Sequence, residues 1–378
     1  MKNVVVIGLG FGDEGKGKVV SSLCEKYKNE KCIVVRYSGG SQAGHEVRYN
    51  GKKHIFSSFG SGTLQNIPTY WSHLCAFNPL SFVNELKVLN LQNINPTIYI
   101  NPSCPVTTPF EVYANRNCNK NLSDGTCGMG YGKTMQREED FYSLLYQDLK
   151  YPLIVKQKLN NFFQYYNFDE VIKAKVKDEL EYFMSACYYI TNYLTSNKNV
   201  IEMNGIAKLS KIFDTIIYES SQGLLLDQHN GMFPNVTRSD LGVKNLWISG
   251  IHETEIYLVT RSYLTKHGNG NDYLLEETKY INNPHEHNEY NEWQGNFKTG
   301  ILNIDLIKYA IEKEKFRPNV KKYLVINCMD IKPHGGYSLI IDNTLQTHTK
   351  KESFLMSINK ELGLEMYTSG DPNEIIKL

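Results

Sequence analysis

The apolar residues at the start of this chain come in short runs separated by glycine turns. Residues 4–7 form an unbroken run, Val-Val-Val-Ile, as expected of a strand buried on both faces. From 18 to 27 the period changes, and Val19, Val20, Leu23 and Cys24 fall on one side of a helix. Residues 33–35 read as a second strand, closed by Arg36-Tyr37 and another glycine turn. Strand, helix and strand in about 35 residues make a βαβ unit and predict an α/β fold, a mostly parallel sheet flanked by helices. Further strands are expected at 97–100, 216–218, 256–259, 323–326, 338–341 and 365–367. Between them, 138 to about 200 is rich in charged and aromatic residues at helical spacing, as in Phe141, Leu144, Leu145 and Leu149, and in Leu180, Phe183, Cys187 and Ile190. A helical subregion is expected there, within one domain spanning 1–378. Residues 266–293, which include His285 and His287, read as a long polar loop.

Composition narrows the partners. The formal net charge is +1, so no bulk attraction to nucleic acid or to an anionic membrane is implied. No apolar run approaches the roughly 20 residues of a spanning helix. The eight cysteines, Cys118 among them, form no CxxC pair and fit the thiols of a reducing compartment. A cytoplasmic setting is expected, that of the host if the source is a virus.

The clearest chemical signal is Gly8-Leu9-Gly10-Phe11-Gly12-Asp13-Glu14-Gly15-Lys16-Gly17-Lys18, between a predicted strand and a predicted helix. Glycines let a backbone approach phosphate, and the N–H groups of such a turn point at it. Lys16 can neutralise a phosphate oxygen. Asp13 and Glu14 repel an anion, so an acid here points to a Mg²⁺ ligand or to a base acting on substrate. Gly10–Gly15 also matches the GxGxxG of dinucleotide-binding folds, but Arg36 stands where an acid would hold NAD and suits NADP at best. Gly10–Lys16 matches GxxxxGK, but Gly17 stands where a P-loop has Ser or Thr. A turn that merely packs helix on sheet is the remaining alternative.

The string Gly12-Asp13-Glu14-Gly15-Lys16-Gly17-Lys18 resembles the phosphate loop of adenylosuccinate synthetases. Arg36-Tyr37-Ser38-Gly39-Gly40-Ser41-Gln42-Ala43-Gly44-His45 resembles that family's next motif, with Gln42 in place of Asn. Weaker likeness continues through Ser61-Gly62, the glycine loop from Gly125 through Thr126 and Cys127 to Gly132, Glu219 to Asp227, Phe233 to Thr237, and Tyr367-Thr368-Ser369-Gly370.

The resemblance implies a two-step ligase. A triphosphate γ-phosphoryl group is placed on the purine 6-oxygen, and the amine of L-aspartate then displaces it. Asp13 would take the purine N1 proton, and Asp13 with the Gly44 carbonyl would hold Mg²⁺. Lys16, with Gly12, Gly15, Gly17 and Lys18, would face phosphate, and His45 would donate to the transferring group. Gln222 would bond the purine edge, near Gly40, Gln42 and Ser61. Thr126, Cys127 and Thr237 would face the 5′-phosphate, and Arg137 would reach the 5′-phosphate of a neighbouring subunit in a homodimer. Ser369 and Gly370 belong to the C-terminal nucleotide segment. Asp227 reads equally as a turn cap or a substrate contact.

Departures bear on substrate choice. The family's arginine-rich aspartate loop is replaced by Asn291 to Gly300, with Lys298 as its one cation and Thr299 beside it. Arg261 or Lys266 would add charge. The guanine-reading segment is reduced to Asn327-Cys328-Met329-Asp330, so Asp330 leaves GTP and ATP or dATP both open. Trp293-Gln294-Gly295 and Thr260 to Gly268 resemble a divergent branch that includes phage enzymes acting on dGMP. That branch typically has a small residue at position 13. Asp13 is kept here, so IMP or dIMP is favoured over dGMP. A purine sensor without ligase activity is the alternative from another class.

Overall fold

The computed structural model describes residues 1–117, 126–268, 281, 283, 284, 286, 288, 290–331, 335–370 and 375–378. Cys118, Gly125, His285 and His287 lie outside the described residues, as does much of the stretch 266–293.

Among the described residues, ten strands build one sheet. In spatial order they are β16 (Ile376–Lys377), β15 (Glu365–Thr368), β12 (Lys321–Asn327), β9 (Glu255–Arg261), β1 (Lys2–Gly8), β8 (Thr215–Gly223), β2 (Cys32–Arg36), β5 (Thr69–Trp71), β6 (Ile98–Ile100) and β7 (Val200–Glu202). Every pair is parallel except β15 with β16. The expected parallel sheet is therefore present. The run at 4–7 is apolar throughout because both its faces are covered. Val4 and Val6 pack with Val19, Val20, Leu23 and Cys24 of helix α1 (Lys16–Lys26). Val5 and Ile7 pack on the other side with Leu246, Ile304 and Leu355.

A second sheet contains β10 (Tyr263–His267), β11 (Phe297–Asn303), β13 (Tyr337–Ile341) and β14 (Thr344–His348). The strand expected at 338–341 belongs here, away from the main sheet. The polar stretch expected to be a loop from 266 begins inside β10. A hairpin of β3 (His45–Tyr49) and β4 (Lys52–Phe56) turns at Asn50-Gly51, whose φ values of 49° and 75° suit a two-residue hairpin turn.

Helices Pro152–Tyr166 and Glu170–Tyr188 occupy the stretch expected to be helical, and they join β5–β7 in a separate apolar cluster. The spacing of Phe141, Leu144 and Leu145 misled. Phe141 has φ 64° and is exposed, and Leu144 lies in an irregular segment whose carbonyl accepts from Val106 N–H. The chain is bent there by Arg137, which donates to the Tyr142 carbonyl, and by Glu138, which accepts from Leu144 N–H at 3.0 Å.

Candidate active site

The carboxyl ends of β1, β2, β8, β9 and β12 surround a cavity of about 880 Å³. This edge is where ligands bind in open parallel sheets. Gly12, Asp13, Gly15, Lys16, Gly17, Lys18, Gln42, Gly44, His45, Thr126, Cys127, Gln222, Thr237, Arg261, Lys266 and Asp330 all line it.

The glycine-rich loop is held from behind. Thr265 Oγ1 donates to the Gly12 carbonyl at 2.8 Å, Arg261 Nε to the Asp13 carbonyl at 2.5 Å, and Asn327 Nδ2 to the Glu14 carbonyl at 2.8 Å. In a trans peptide the next N–H points the opposite way, so the N–H groups of Asp13, Glu14 and Gly15 turn away from these donors. The first-turn N–H groups of α1 add donors that no helical carbonyl can reach. Such a set of backbone donors attracts an anion.

Glu14 plays the reverse part from Asp13. It folds under the loop, where Oε1 accepts from Gly10 N–H at 3.1 Å and Gly12 N–H at 2.8 Å. Its Oε2 pairs with Lys16 Nζ at 2.6 Å, both side chains almost fully buried. A β-carbon on Gly8 or Gly223 would collide with this carboxylate, so both positions must be glycine for it to fit. Glu14 is thus an internal brace of the loop.

Asp13 faces the cavity with φ 59°, a left-handed conformation uncommon for a residue other than glycine. Burial pushes its pKa up. His267, with Arg261 and Lys16, outweighs that and holds the carboxyl below its usual range.

His45 enters on β3. Its Nδ1 lies 2.6 Å from Glu219 Oε1, at the end of β8, and its Nε2 lies 3.3 Å from the Ser221 carbonyl. Burial alone would raise the pKa of Glu219, but His45, Arg36 and Ser61 bring it down to about 2. An ionised carboxylate only accepts, so Nδ1 is a donor and the ring is fixed in orientation. Ser61 also gives Glu219 its backbone N–H at 3.1 Å. Ser61 therefore braces Glu219 from a fully buried position. Gly40, also expected at the nucleotide, is packed against the Ala76 carbonyl and is buried.

Other expected residues lie elsewhere. Arg36 is fully buried, donating to the Phe59 carbonyl at 3.3 Å and lying against the Trp71 ring, so it offers nothing to a dinucleotide in the cavity. Arg137, expected to reach a neighbouring subunit, is fully buried in its own. It donates to Glu111 at 2.9 Å, to Glu138 at 2.7 Å and to the Val106 carbonyl at 2.7 Å, over the Phe162 ring. A guanidinium so enclosed cannot extend to another chain. Asp227 accepts from the N–H groups of His229, Asn230 and Leu241, which makes it a turn cap. Lys298 and Thr299 stand on β11 opposite Lys266 and Thr265, while Asn291 and Gln294 of the same segment reach the cavity. Ser369 accepts from Lys18, and Gly370 lies beside Asp330. Thr126 donates to Asn115 Oδ1 at 3.0 Å.

Neither Glu219 nor His267 is marked by a motif of its own in the sequence. The signal for His267 was present as parity: Arg261, Tyr263, Thr265 and His267 alternate along β9–β10, and three of the four touch Gly12 or Asp13.

A family model for adenylosuccinate synthetase matches residues 5–332. Adenylosuccinate synthetase of Buchnera aphidicola subsp. Baizongia pistaciae (strain Bp) is 31% identical over an alignment of 290 positions that covers 71% of this chain and 64% of that protein. The Histophilus somni (strain 129Pt) protein is 30% identical over 282 residues with the same coverage. The matched region thus spans 64% of the length of these curated relatives. Fully ligated adenylosuccinate synthetase of Plasmodium falciparum superposes with a TM-score of 0.75 at 18% identity, over 99% of both chains. Cyanophage S-2L succinoaminodeoxyadenylate synthetase bound to dGMP and dATP superposes with a TM-score of 0.67 at 12% identity, over 100% of this chain and 95% of that one. At such identities the superpositions speak for the fold alone. With the family model covering residues 5–332 and the phosphate loop at the carboxyl end of β1, the chain belongs to the adenylosuccinate synthetase family.

Proposed function

We propose that this protein is a ligase joining L-aspartate to the 6-position of a purine nucleoside monophosphate, IMP or dIMP. The reaction consumes GTP or ATP/dATP through a 6-phosphoryl intermediate and yields adenylosuccinate or its deoxy form. The observation that carries this reading is the convergence on one cavity of Asp13, of His45 backed by Glu219, and of the braced phosphate loop.

Making the purine 6-oxygen nucleophilic requires loss of the N1 proton, and Asp13, the carboxylate that the phosphate loop itself brings to the cavity, would accept it. His45, its ring oriented by Glu219, presents Nε2 to the transferring group or the 6-oxygen, and would donate there when both ring nitrogens carry a proton. Gln222 contacts the purine edge. Asn291 and Gln294, from the segment that lacks arginines, contribute amides to the amino-acid side of the cavity.

Asp13 and the Gly44 carbonyl would hold Mg²⁺, which neutralises phosphate charge in such reactions. The site suits that ion. Asp13 is held ionised at the cavity, and among the described residues no three His, Cys, Asp or Glu side chains cluster. One carboxylate with substrate phosphates is the usual way Mg²⁺ is held. A homodimer in the cytoplasm is part of the same reading, and the mass of the native protein in solution tests the dimer.

A second substrate, dGMP, has one observation in its favour. Gln42 lines the cavity with both amide atoms buried and no partner among the described residues, so a 2-amino group would pair its oxygen once the side chain turns toward the cavity. Phosphate release should be measured with IMP, dIMP, GMP and dGMP, each with and without aspartate. Aspartate-dependent release with the highest kcat/KM for IMP or dIMP is expected. A dGMP preference moves the chain to the second reading. Binding without aspartate-dependent release makes it a purine sensor.

A further inference from the structure

His267 Nε2 lies 3.0 Å from Asp13 Oδ2, at the last residue of β10 and against the ring of Phe297. Three neighbouring facts give this contact its weight. Asp13 sits in a left-handed conformation, which sets its Cα–Cβ bond and leaves the rotamer of the carboxylate to be fixed by its neighbours. Its carbonyl is held at 2.5 Å by Arg261 Nε, which anchors the backbone. Arg261 is in turn fixed by Tyr263 Oη at 3.0 Å and by Glu286 Oε2 at 2.5 Å.

The backbone of Asp13 is thus clamped by one residue of the β9–β10 segment, and the carboxylate is touched by another. Two fixed points define where the remaining oxygen, Oδ1, is aimed. A positioned base gains rate because its reacting atom is already aligned, whereas a carboxylate free to rotate spreads over several rotamers. A donor on Oδ2 makes the carboxylate a weaker proton acceptor. Any gain from this contact must therefore come from orientation.

We propose that His267 is a positioning residue that aims the Asp13 carboxylate at the purine N1 position, a proposal that rests on the reading of Asp13 as the base. The role does not require His267 to touch substrate, and its effect is exerted through Asp13.

The test compares His267→Ala and His267→Gln with the unaltered protein, using the monophosphate that gives the highest turnover. His267→Ala should lower kcat by about 10- to 100-fold while both nucleotide KM values stay within about threefold. His267→Gln keeps a donor within reach of Oδ2 and should return kcat to within about fivefold of the original. The proposal is overturned if His267→Ala keeps kcat within about threefold, if the KM values rise in step with the loss, or if Gln restores nothing. Should His267→Ala fail to fold, His267→Leu keeps the bulk against Phe297 and is judged by the same criteria. Asp13→Asn is measured alongside. Normal turnover in Asp13→Asn removes the base reading and this proposal together. An inactive Asp13→Asn beside a fully active His267→Ala removes the positioning role alone.

Discussion

A β-carbon on Gly17 would lie 2.9 Å from the β-carbon of His45. It would also lie 3.0 Å from Ser61 Oγ and 3.1 Å from the Glu46 carbonyl. Gly17 stands where a P-loop carries serine or threonine, and this crowding is the reason it does not. The space that a side chain would fill is used to seat the histidine strand against the start of α1.

Gly17→Ser should therefore push His45 off Glu219. We expect kcat to fall at least tenfold, about 1.4 kcal/mol, with a stability loss of about 1–3 kcal/mol from overpacking. Steady-state kinetics and thermal melting check this. A variant with unchanged kcat would show that the position of His45 against α1 does not matter.

Glu219 has no exposure to solvent, and its pKa of about 2 lies below the usual 4.5. The stabilisation this reflects is fully present above about pH 4.5 and is lost as pH falls toward 2. Glu219→Gln should cost about 3 kcal/mol in urea unfolding at pH 7, and the gap should narrow by pH 3. It should also slow phosphoryl transfer, in the direction of His45→Ala, which is expected to lose roughly 10²-fold. A gap independent of pH would mean that the carboxylate charge contributes nothing.

Glu314 behaves in the opposite sense. Burial, with Asp227, Asp240 and Glu253 nearby, raises it to about 7, although Val243 N–H at 2.8 Å pulls the other way. The unfolded chain ionises it near 4.5 and the folded chain near 7, so stability declines as pH rises through that interval. Glu314→Gln keeps an acceptor for Val243 and removes the charge. The melting temperature should rise more at pH 8 than at pH 5, for a gain of up to about 3 kcal/mol at pH 8. An equal shift at both pH values would rule out this titration.

Arg137 and Glu111 are both fully buried and bonded to each other. Glu111 also accepts from Thr108 N–H and Oγ1 and completes the N-terminal cap of helix Pro109–Arg116. Removing the arginine leaves a carboxylate buried without its charge partner. Arg137→Met should cost about 3–5 kcal/mol, and adding Glu111→Gln should recover part of that. Unfolding midpoints in denaturant decide the matter. A normal midpoint with a raised monophosphate KM would restore Arg137 to the nucleotide.

The local order of residues was enough to define the first strand, α1, the second strand and the loop between them. Their signals are glycine spacing and apolar period, both set by neighbours in the chain. The parallel sheet followed, because strands this apolar must be covered on both faces. Asp13 was likewise legible as an acid in the turn after a buried strand, whereas the role expected of His45 came from the family resemblance alone. What the chain order could not reveal is which distant side chain turns toward which. Glu14 and Asp13 are adjacent acids, yet Asp13 faces the cavity while Glu14 folds beneath the loop, where glycines at 8 and 223 leave room for its carboxylate. Arg137 looked like an intersubunit cation, but Glu111, 26 positions away, encloses it. Phe141, Leu144 and Leu145 kept helical spacing while the bonds of Arg137 and Glu138 bent the chain out of a helix. Arg261, Thr265 and His267 reach the phosphate loop because β9 lies beside β1 in register and β10 follows directly from it. Strand order and register are set by packing of the whole sheet, and only there do residues so far apart in the chain become a single site.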